Sequence, residues 1–145
     1  MNNITKFLIE KPAHEVFEAF VDPAKIGNFW FSSSSERWES GKMIALTYKE
    51  YNAELGIRVR EVVENQKILF NWGPVEDEHQ VTILLNEEDS ASTIIEITEE
   101  GFKENDPELV YKMIDNKEGW VFMLTCLKGY LENGVNTLRG AIVKE

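Results

Sequence analysis

Apolar side chains near the C-terminus recur at the spacing of one helix face. Trp120, Leu124, Leu127 and Leu131 stand four, three and four residues apart, and this period is typical of an amphipathic helix. Met123 lies beside the stripe and widens it. A face this broad needs cover from more than one side. The pattern therefore predicts a long C-terminal helix that packs against a curved sheet.

Residues 5–101 show a different period, because apolar and polar positions alternate there in short segments. Alternation of this kind predicts strands that turn one face toward the core. Turn signals recur without a long helix between neighbouring strands, and this favours an antiparallel meander. The residues expected on the inward faces are Phe7, Ile9, Ile44, Leu46, Tyr48, Ile57, Val59, Glu61, Val63, Ile68, Phe70, Trp72, His79, Val81, Ile83, Leu85, Thr93, Ile95 and Ile97.

Two short helices are predicted between the first strand and the rest of the sheet. Pro12 suits the first turn of a helix, and Asp22-Pro23 ends that helix before a second one over residues 24–29. Residues 32–35 are consecutive serines and are expected to form a flexible loop. Trp38 is expected on a short strand that follows this loop.

Local signals also predict where the later elements begin and end. Leu55-Gly56 indicates a turn between two strands. Asp106-Pro107 is typical of a helix start, and the polar residues 115–117 predict an interruption before the main helix. Residues from about 135 to 145 are expected to form a loose tail. The length of the chain favours a single domain over residues 1–145.

Composition removes several classes of partner. The chain has 43% hydrophobic residues and a formal net charge of −11, without a basic stripe. Nucleic acid and anionic membrane surfaces are therefore excluded as expected partners, whereas a basic protein partner stays open. No apolar run reaches membrane-spanning length, so no membrane insertion is expected and the cytoplasm is the predicted location. Cys126, the single cysteine, falls within the apolar helix and is interpreted as a buried, inert thiol.

Candidate catalytic groups are few. No nucleophile motif, phosphate-binding loop, dinucleotide fingerprint or cluster of metal ligands occurs, so no cofactor and no metal are expected. Glu61 and His79 share the inward parity of their strands and are the only, weak, candidates for an acid and a base. A more ordinary interpretation remains open, in which Glu61 pairs with an arginine or caps a backbone group and His79 is solvated at a strand end.

Aromatic residues are concentrated on the inward faces and around the serine segment. Rings with a few polar groups among them are typical of sites for small apolar ligands, although the same rings also fill cores. Trp30 and Phe31 are expected to control entry to such a site. The predicted ligand-binding residues are Trp30, Phe31, Trp38, Tyr48, Glu61, Phe70, Trp72, His79, Ile83, Trp120, Met123 and Leu127.

The order of elements and a set of short motifs resemble the START-like or helix-grip (Bet v-type, SRPBCC) superfamily. Within it, the chain resembles the branch related to the C-terminal domain of the activator of the heat-shock-protein-90 ATPase. The motifs are Ile9 with Pro12-Ala13-His14-Glu15-Val16-Phe17, Phe29-Trp30, Arg60-Glu61-Val62 leading to Ile68-Leu69-Phe70-Asn71-Trp72, and Glu118-Gly119-Trp120 with Leu124, Leu127 and Leu131.

This resemblance implies an α+β fold of order β-α-α-β6-α. A curved seven-stranded antiparallel sheet would wrap around the long C-terminal helix and leave a cavity between them. Members of the superfamily bind hydrophobic small molecules such as lipids, sterols or polyketides, and some are enzymes. The leading hypothesis is therefore the binding of a small, mostly hydrophobic ligand. Two alternatives stay open: a cyclase or hydrolase that uses Glu61 and His79, and a cochaperone-like activator of the heat-shock-protein-90 ATPase.

Overall fold

The structure, a computed structural model, describes residues 1–143. Within this range seven antiparallel strands form one sheet in the order β1-β7-β6-β5-β4-β3-β2. The strands are β1 (Asn3–Ile9), β2 (Ser33–Ser34), β3 (Met43–Tyr48), β4 (Ala53–Val63), β5 (Lys67–Trp72), β6 (His79–Asp89) and β7 (Ser92–Glu100). The helices are α1 (Ala13–Val21) and α2 (Leu109–Asn133), and 3-10 turns lie at Ile26–Asn28, Lys49–Tyr51 and Val75–Asp77.

The sheet curves around α2, which confirms the predicted α+β helix-grip class. Alternation places most of the apolar positions of the strands on the concave face, as predicted; Val63, which was also expected there, is exposed. Residues on this face that are buried include Ile44, Leu46, Ile57, Val59, Ile68, Phe70, Val81, Ile83, Ile95 and Ile97. Helix α1 packs on β6 and β7, and α2 runs along β1. The core therefore lies between the sheet and α2, with α1 and the Ile26–Asn28 turn closing one end.

Helix α2 turns its predicted stripe to the sheet: Trp120, Leu124 and Leu127 are buried. It ends at Gly134, whose φ of 68° is the left-handed conformation that favours glycine after a helix. Its opposite face is polar or exposed, and no helix in residues 1–143 combines the length and apolarity needed to cross a membrane.

Two lysines of α2 cover the free edge of β1. Lys117 Nζ donates to the Ile4 carbonyl at 2.5 Å, and Lys128 Nζ donates to the Leu8 carbonyl at 2.7 Å. An edge strand with unpaired carbonyls is a template for pairing with another chain. These side chains therefore satisfy the edge and tie α2 to the sheet.

Three local predictions in the N-terminal half are wrong. The helix expected over residues 24–29 is only the 3-10 turn Ile26–Asn28, because the Asp22 carboxylate accepts from the Ala24 N–H and turns the chain. The serine segment is not all loop, since Ser33–Ser34 forms β2 against β3. Trp38 lies outside any strand and is buried in the core.

The serines of this segment join the sheet because their hydroxyls satisfy the backbone of β3 and the turn after it. Ser35 Oγ accepts from the Ala45 N–H at 2.9 Å, and Ser32 Oγ accepts from the Lys49 N–H at 2.8 Å. Short polar side chains that bond to nearby backbone groups can substitute for ladder bonds.

Predictions of turns and breaks further along the chain also need correction. The turn expected at Leu55-Gly56 lies inside β4, and the chain reverses earlier, at Asn52 with a φ of 49°. Helix α2 begins at Leu109, after Asp106-Pro107, and continues through residues 115–117 without a break. Two of the polar residues there are satisfied by the sheet, which favours an unbroken helix: Asn116 Nδ2 donates to Glu99 Oε2 at 2.9 Å, and Lys117 Nζ donates to the Ile4 carbonyl.

Residues 135–143 pack against the segment before β2 and the turn after β3, and are here called the C-terminal strap. Arg139 anchors it: Nε donates to the Trp30 carbonyl at 2.6 Å, Nη1 to Glu50 Oε2 at 2.6 Å and Nη2 to Ser32 Oγ at 2.9 Å. The Tyr51 hydroxyl donates to the Ile142 carbonyl at 2.6 Å. These contacts contradict the expected loose tail for residues 135–143; residues 144–145 of that predicted tail lie outside the described residues.

Electrostatics keep the strap attached over a wide pH range. The hydrogen bond from Arg139 lowers the pKa of Glu50 to about 2. A carboxyl group whose pKa is lower in the folded state stabilises that state above its unfolded value, and the contribution is lost as the pH falls through the folded value. The contact between Glu50 and Arg139 is therefore retained until the pH approaches 2.

The substitution Arg139→Met tests this anchor. It is expected to lower the free energy of unfolding by about 2 kcal/mol, because the buried Trp30 carbonyl loses its donor and a charged hydrogen bond disappears. The matched control is Arg37→Met, which removes an arginine whose pair with Glu18 is 2.8 Å long but about half exposed. The control is expected to cost less than about 1 kcal/mol. Unfolding in urea is monitored by circular dichroism of the backbone amides. Equal losses in the free energy of unfolding for the two variants would contradict the role of Arg139 as the anchor.

Candidate functional site

Three tryptophans meet between the sheet and α2. Trp72 of β5 and Trp120 of α2 stack with ring centroids 5.2 Å apart and an angle of 24° between their planes. The ring of Trp30 lies 5.6 Å from that of Trp120 and 6.3 Å from that of Trp72. The gap between sheet and helix is thus filled in its interior, and free space begins at the outer side of this cluster.

A groove of about 460 Å³ opens there, between α2, the C-terminal strap and the ends of β3, β4 and β5. Its rings belong to Trp30, Tyr48, Tyr51, Trp72, Trp120 and Phe122, and it is called the aromatic groove below. Gly119 forms part of the α2 wall, and a Cβ at this position would meet no atom within 4 Å. Mostly apolar walls with few polar groups are typical of sites for small organic ligands.

A second cavity of about 350 Å³ adjoins the aromatic groove and shares Trp72 with it. Its polar groups are those of Asp77, His79, Glu99, Lys112 and Asn116, and it is called the polar pocket below. The shared wall means that one elongated ligand could contact aromatic rings at one end and charged groups at the other.

Glu99, which lies between the two cavities, is fully buried. Its Oε1 accepts from Trp120 Nε1 at 2.9 Å. Its Oε2 accepts from Asn116 Nδ2 at 2.9 Å and from Trp72 Nε1 at 3.3 Å, and lies 2.7 Å from His79 Nδ1. A buried carboxylate is tolerated only when hydrogen bonds replace the lost water. The four nitrogens come from β5, β6 and α2, so this contact sets the distance between helix and sheet.

The sequence carried a signal for Glu99 that was not used. Glu99 has the same strand parity as Thr93, Ile95 and Ile97, whose inward face is confirmed by their burial. The pair Glu99-Glu100 resembles ordinary surface charge. Extending the alternation by one more step would have placed the first of the two carboxylates inside.

His79 is buried, as its parity predicts. With Nδ1 directed to Glu99, its Nε2 faces the polar pocket and lies 3.7 Å from Asp77 Oδ1. The ring also packs edge-on against Phe102, with centroids 4.5 Å apart. His79 is therefore held in one orientation by a carboxylate on one side and a ring on the other.

The prediction that Glu61 faces the interior is wrong. The register of β4 against β5 shifts between Val59 and Glu61, which makes Arg60 an extra residue in a β-bulge. A bulge reverses the parity of the residues that follow it. Glu61 consequently points outward and pairs with Lys67 at 2.8 Å, with about half of its side chain exposed. It cannot act together with His79.

The other predicted site residues divide into two groups. Those that line the aromatic groove are Trp30, Tyr48, Trp72, Trp120 and Met123. Those that are buried in the core beneath it are Phe31, Trp38, Phe70, Ile83 and Leu127. Phe31 packs against Trp30 at 4.8 Å and Tyr48 at 5.4 Å, so it supports the groove wall instead of controlling entry.

Several groove residues were not predicted. Tyr51 and Ile142 lie on the 3-10 turn after β3 and on the C-terminal strap, where no periodic pattern assigns a face. Asp115 and Asn116 were interpreted as a helix break, yet both line the groove. Leu55 was missed because it was placed in a turn.

Two titratable groups near the groove are not poised for reaction. Burial raises the pKa of Tyr48 to about 12, and its hydroxyl donates to the Arg139 carbonyl at 2.7 Å. Burial also raises the pKa of the Cys126 thiol, in agreement with an inert cysteine. In residues 1–143 no group of three or more His, Cys, Asp or Glu side chains is arranged to hold a metal ion.

Comparison with known proteins identifies a family model that matches residues 10–132, described as Activator of Hsp90 ATPase homolog 1-like protein. The matched segment runs from the residue after β1 into the last turn of α2 and includes Glu99 with the four residues that contact its carboxylate. A search of the curated proteins found no match.

Solved structures give the same fold. A crystal structure of the protein SSP2350 from Staphylococcus saprophyticus is 52% identical, with 94% of this chain and 95% of that chain covered and a TM-score of 0.82. The Aha1 dimer from Colwellia psychrerythraea is 16% identical, with 92% and 98% covered and a TM-score of 0.80. DynU16, a putative protein in the dynemicin biosynthetic locus, is 21% identical, with 96% and 50% covered and a TM-score of 0.82.

The substitution Glu99→Gln tests the buried carboxylate. The new amide group directs a donor at nitrogens that already donate, so the free energy of unfolding is expected to fall by about 2–4 kcal/mol. The matched control is Glu96→Gln on the outer face of the same strand, where Glu96 pairs with Lys6 at 3.1 Å. This surface pair is expected to contribute less than about 1 kcal/mol. Similar midpoints for both variants in urea would show that Glu99 does not hold the elements together.

Proposed function

The chain belongs to the family of Activator of Hsp90 ATPase homolog 1-like proteins, and from this premise we propose that it binds a small, mostly hydrophobic ligand in the aromatic groove. The observation that carries the proposal is the groove itself, which has rings on several sides and a volume of about 460 Å³. Ligand sites in proteins are of similar size, about 300–1,000 Å³, and are similarly apolar.

The construction of the groove supports binding without a large rearrangement. Trp30, Trp72 and Trp120 are fixed by mutual packing, and two of their indole N–H groups are held by Glu99. Rigid rings lose little conformational entropy when a ligand arrives, so more of the apolar contact energy appears as affinity. The adjoining polar pocket favours a ligand that has a polar group at one end.

A second candidate function is proton transfer by His79, because the carboxylate of Glu99 lies 2.7 Å from its Nδ1. Glu61, the predicted acid or base beside His79, faces outward, whereas Glu99 orients the imidazole ring through Nδ1 and leaves Nε2 at the wall of the polar pocket. In an ester hydrolysis, Nε2 would accept a proton from water while the water oxygen attacks the carbonyl, and would then return the proton to the leaving alcohol. An enzyme of the hydrolase type is thus retained with a changed pair of residues.

The cochaperone-like role remains an alternative, supported by the description of the family and by the acidic surface. An assay of chaperone ATPase activity with and without the chain distinguishes it from ligand binding. The predicted cytoplasmic location likewise stays a prediction.

Gly119→Leu tests the groove as the binding site. The leucine side chain enters open space in the groove and is expected to abolish ligand binding. Removing a glycine from a helix interior is also expected to raise the free energy of unfolding by about 0.5–1 kcal/mol, so lost binding cannot be attributed to unfolding. Binding of a panel of lipids and polyphenols is measured by native mass spectrometry and by chemical-shift changes of the Trp72 and Trp120 indole N–H groups.

Thr125→Leu is the matched control, because it adds leucine to an exposed position of the same helix outside the groove. It is expected to leave binding unchanged. If a ligand binds the Gly119→Leu variant and the wild type with equal affinity, its site lies elsewhere. That result would refute the aromatic groove as the binding site. A wild-type chain that binds no member of the panel refutes the proposed function for these ligand classes.

His79→Gln tests the second candidate. If His79 transfers protons, hydrolysis of a panel of aromatic esters is expected to fall at least about a hundredfold, with loss of the histidine step in the pH profile. His14→Gln is the control, because His14 is the other histidine of the chain and is exposed on α1. An inactive wild type, or equal rates for both variants, would exclude the enzyme function.

A further inference from the structure

One nitrogen at the wall of the polar pocket has no hydrogen-bond partner. His79 lines this pocket, with only 10% of its side chain exposed. Its Nδ1 lies 2.7 Å from Glu99 Oε2. Within residues 1–143 its Nε2 forms no hydrogen bond, since Asp77 Oδ1, at 3.7 Å, is beyond hydrogen-bond distance. A nearly buried polar atom of this kind is a position at which a ligand gains a directed contact.

The contact at Nδ1 determines the role of Nε2. The Glu99 carboxylate accepts from the N–H groups of Trp72, Asn116 and Trp120, so it acts as an acceptor toward its other neighbours. The 2.7 Å contact therefore places a hydrogen on Nδ1 of His79. In a neutral imidazole ring, a hydrogen on one nitrogen leaves the other with a free lone pair. Nε2 of the neutral ring is thus a hydrogen-bond acceptor that faces the polar pocket.

The side-chain donors of the same pocket are already engaged. Trp72 Nε1 and Asn116 Nδ2 donate to Glu99 Oε2 at 3.3 and 2.9 Å. Lys112 Nζ donates to two carboxylates of the protein, at 2.6 and 3.4 Å. The polar atom that the pocket leaves free for a ligand is therefore the acceptor Nε2 of His79, and a ligand that donates a hydrogen fits it best.

The polar pocket and the aromatic groove are continuous along one wall, because both are lined by Leu55, Trp72 and Asn116. A ligand whose rings contact Trp72 in the groove can extend along this wall into the polar pocket. A charged end group would lose much hydration on entering the pocket, whereas a hydroxyl group loses less and donates one hydrogen. An apolar body with a hydroxyl group at one end matches both cavities.

We propose that the ligand of the aromatic groove is an apolar alcohol or phenol whose hydroxyl group donates a hydrogen bond to Nε2 of the neutral His79 ring. This inference rests on the proposed function and specifies the polar group of the ligand. His79 is then the residue that determines specificity, because contact with the aromatic rings does not select a hydroxyl over a methyl group. The inference is independent of proton transfer by His79, since a hydrogen bond requires no reaction.

Three biphenyls that differ in one substituent test this preference. The donor is present in 4-phenylphenol, a methyl group of similar size replaces it in 4-methylbiphenyl, and 4-methoxybiphenyl keeps the oxygen without its hydrogen. Affinities are measured from the shifts of the Trp72 and Trp120 indole N–H resonances in the wild-type chain, with Gly119→Leu as the blocked reference. The phenol is expected to bind about tenfold more tightly than either analogue, which is the effect of one hydrogen bond. Burial of apolar surface alone would favour the methyl compound.

His79→Asn removes the acceptor and retains a donor for Glu99. The amide nitrogen of asparagine takes nearly the position of Nδ1, whereas the shorter side chain ends before the position of Nε2. The affinity for 4-phenylphenol is expected to fall about tenfold, to that of 4-methylbiphenyl, whose own affinity stays the same. His14→Asn is the matched control, because His14 is exposed on α1 and lies outside both cavities. It is expected to leave all three affinities unchanged.

The ring nitrogens of His79 give a second measurement that does not depend on the folding of a variant. Long-range ¹H–¹⁵N spectra of the wild-type chain distinguish a nitrogen that carries a hydrogen from one that does not. In slightly alkaline buffer, Nε2 is expected to carry no hydrogen. Addition of 4-phenylphenol is expected to shift its resonance, and addition of 4-methylbiphenyl is not. A hydrogen on Nε2 of the free protein would overturn the inference.

The outcomes separate this inference from the proposed function. If either analogue binds as tightly as 4-phenylphenol, or His79→Asn leaves the preference for the phenol intact, the inference is refuted while a ligand-binding groove remains. Asp77→Asn is expected to keep the preference; its loss would assign the hydroxyl contact to Asp77 and refute the role of His79. If none of the three ligands perturbs the indole resonances of the wild-type chain, the proposed function fails for biphenyl ligands together with the inference.

Discussion

The buried carboxylate of Glu99 is the contact on which the geometry of the open end depends. It accepts from N–H groups of Trp72, Asn116 and Trp120 and lies 2.7 Å from His79 Nδ1, so its partners belong to two other strands and to α2. Apolar packing alone has no preferred direction, so it would allow α2 to slide along the concave sheet. Directed hydrogen bonds to one anion fix the helix in register and stack the indoles of Trp72 and Trp120.

The aromatic groove follows from this arrangement and from the C-terminal strap. Once the indoles fill the interior, space remains only where α2 and the sheet diverge toward their open end. The strap then supplies a further wall, and Arg139 holds it in place through the Trp30 backbone and Glu50. The family resemblance predicts a cavity deep between sheet and helix, whereas this chain places its free space nearer the surface.

Periodicity predicted most of the architecture because apolar spacing determines which face of each element is buried. The inward faces of β3, β5, β6 and β7 were predicted correctly. Glu61 was placed on the wrong face because a single extra residue, Arg60, reverses the alternation of β4. The anchoring of the strap was not predictable, since Arg139 finds partners more than 80 positions away and such contacts leave no local pattern.

The packing of the tryptophans has an optical consequence. All four tryptophans of the chain form one continuous cluster, because the ring of Trp30 lies within 6.3 Å of those of Trp38, Trp72 and Trp120. At such separations excitation energy migrates between indoles faster than it is emitted. The intrinsic fluorescence of the protein is therefore a collective signal from the floor of the groove, and a quencher that touches one ring there would darken all four.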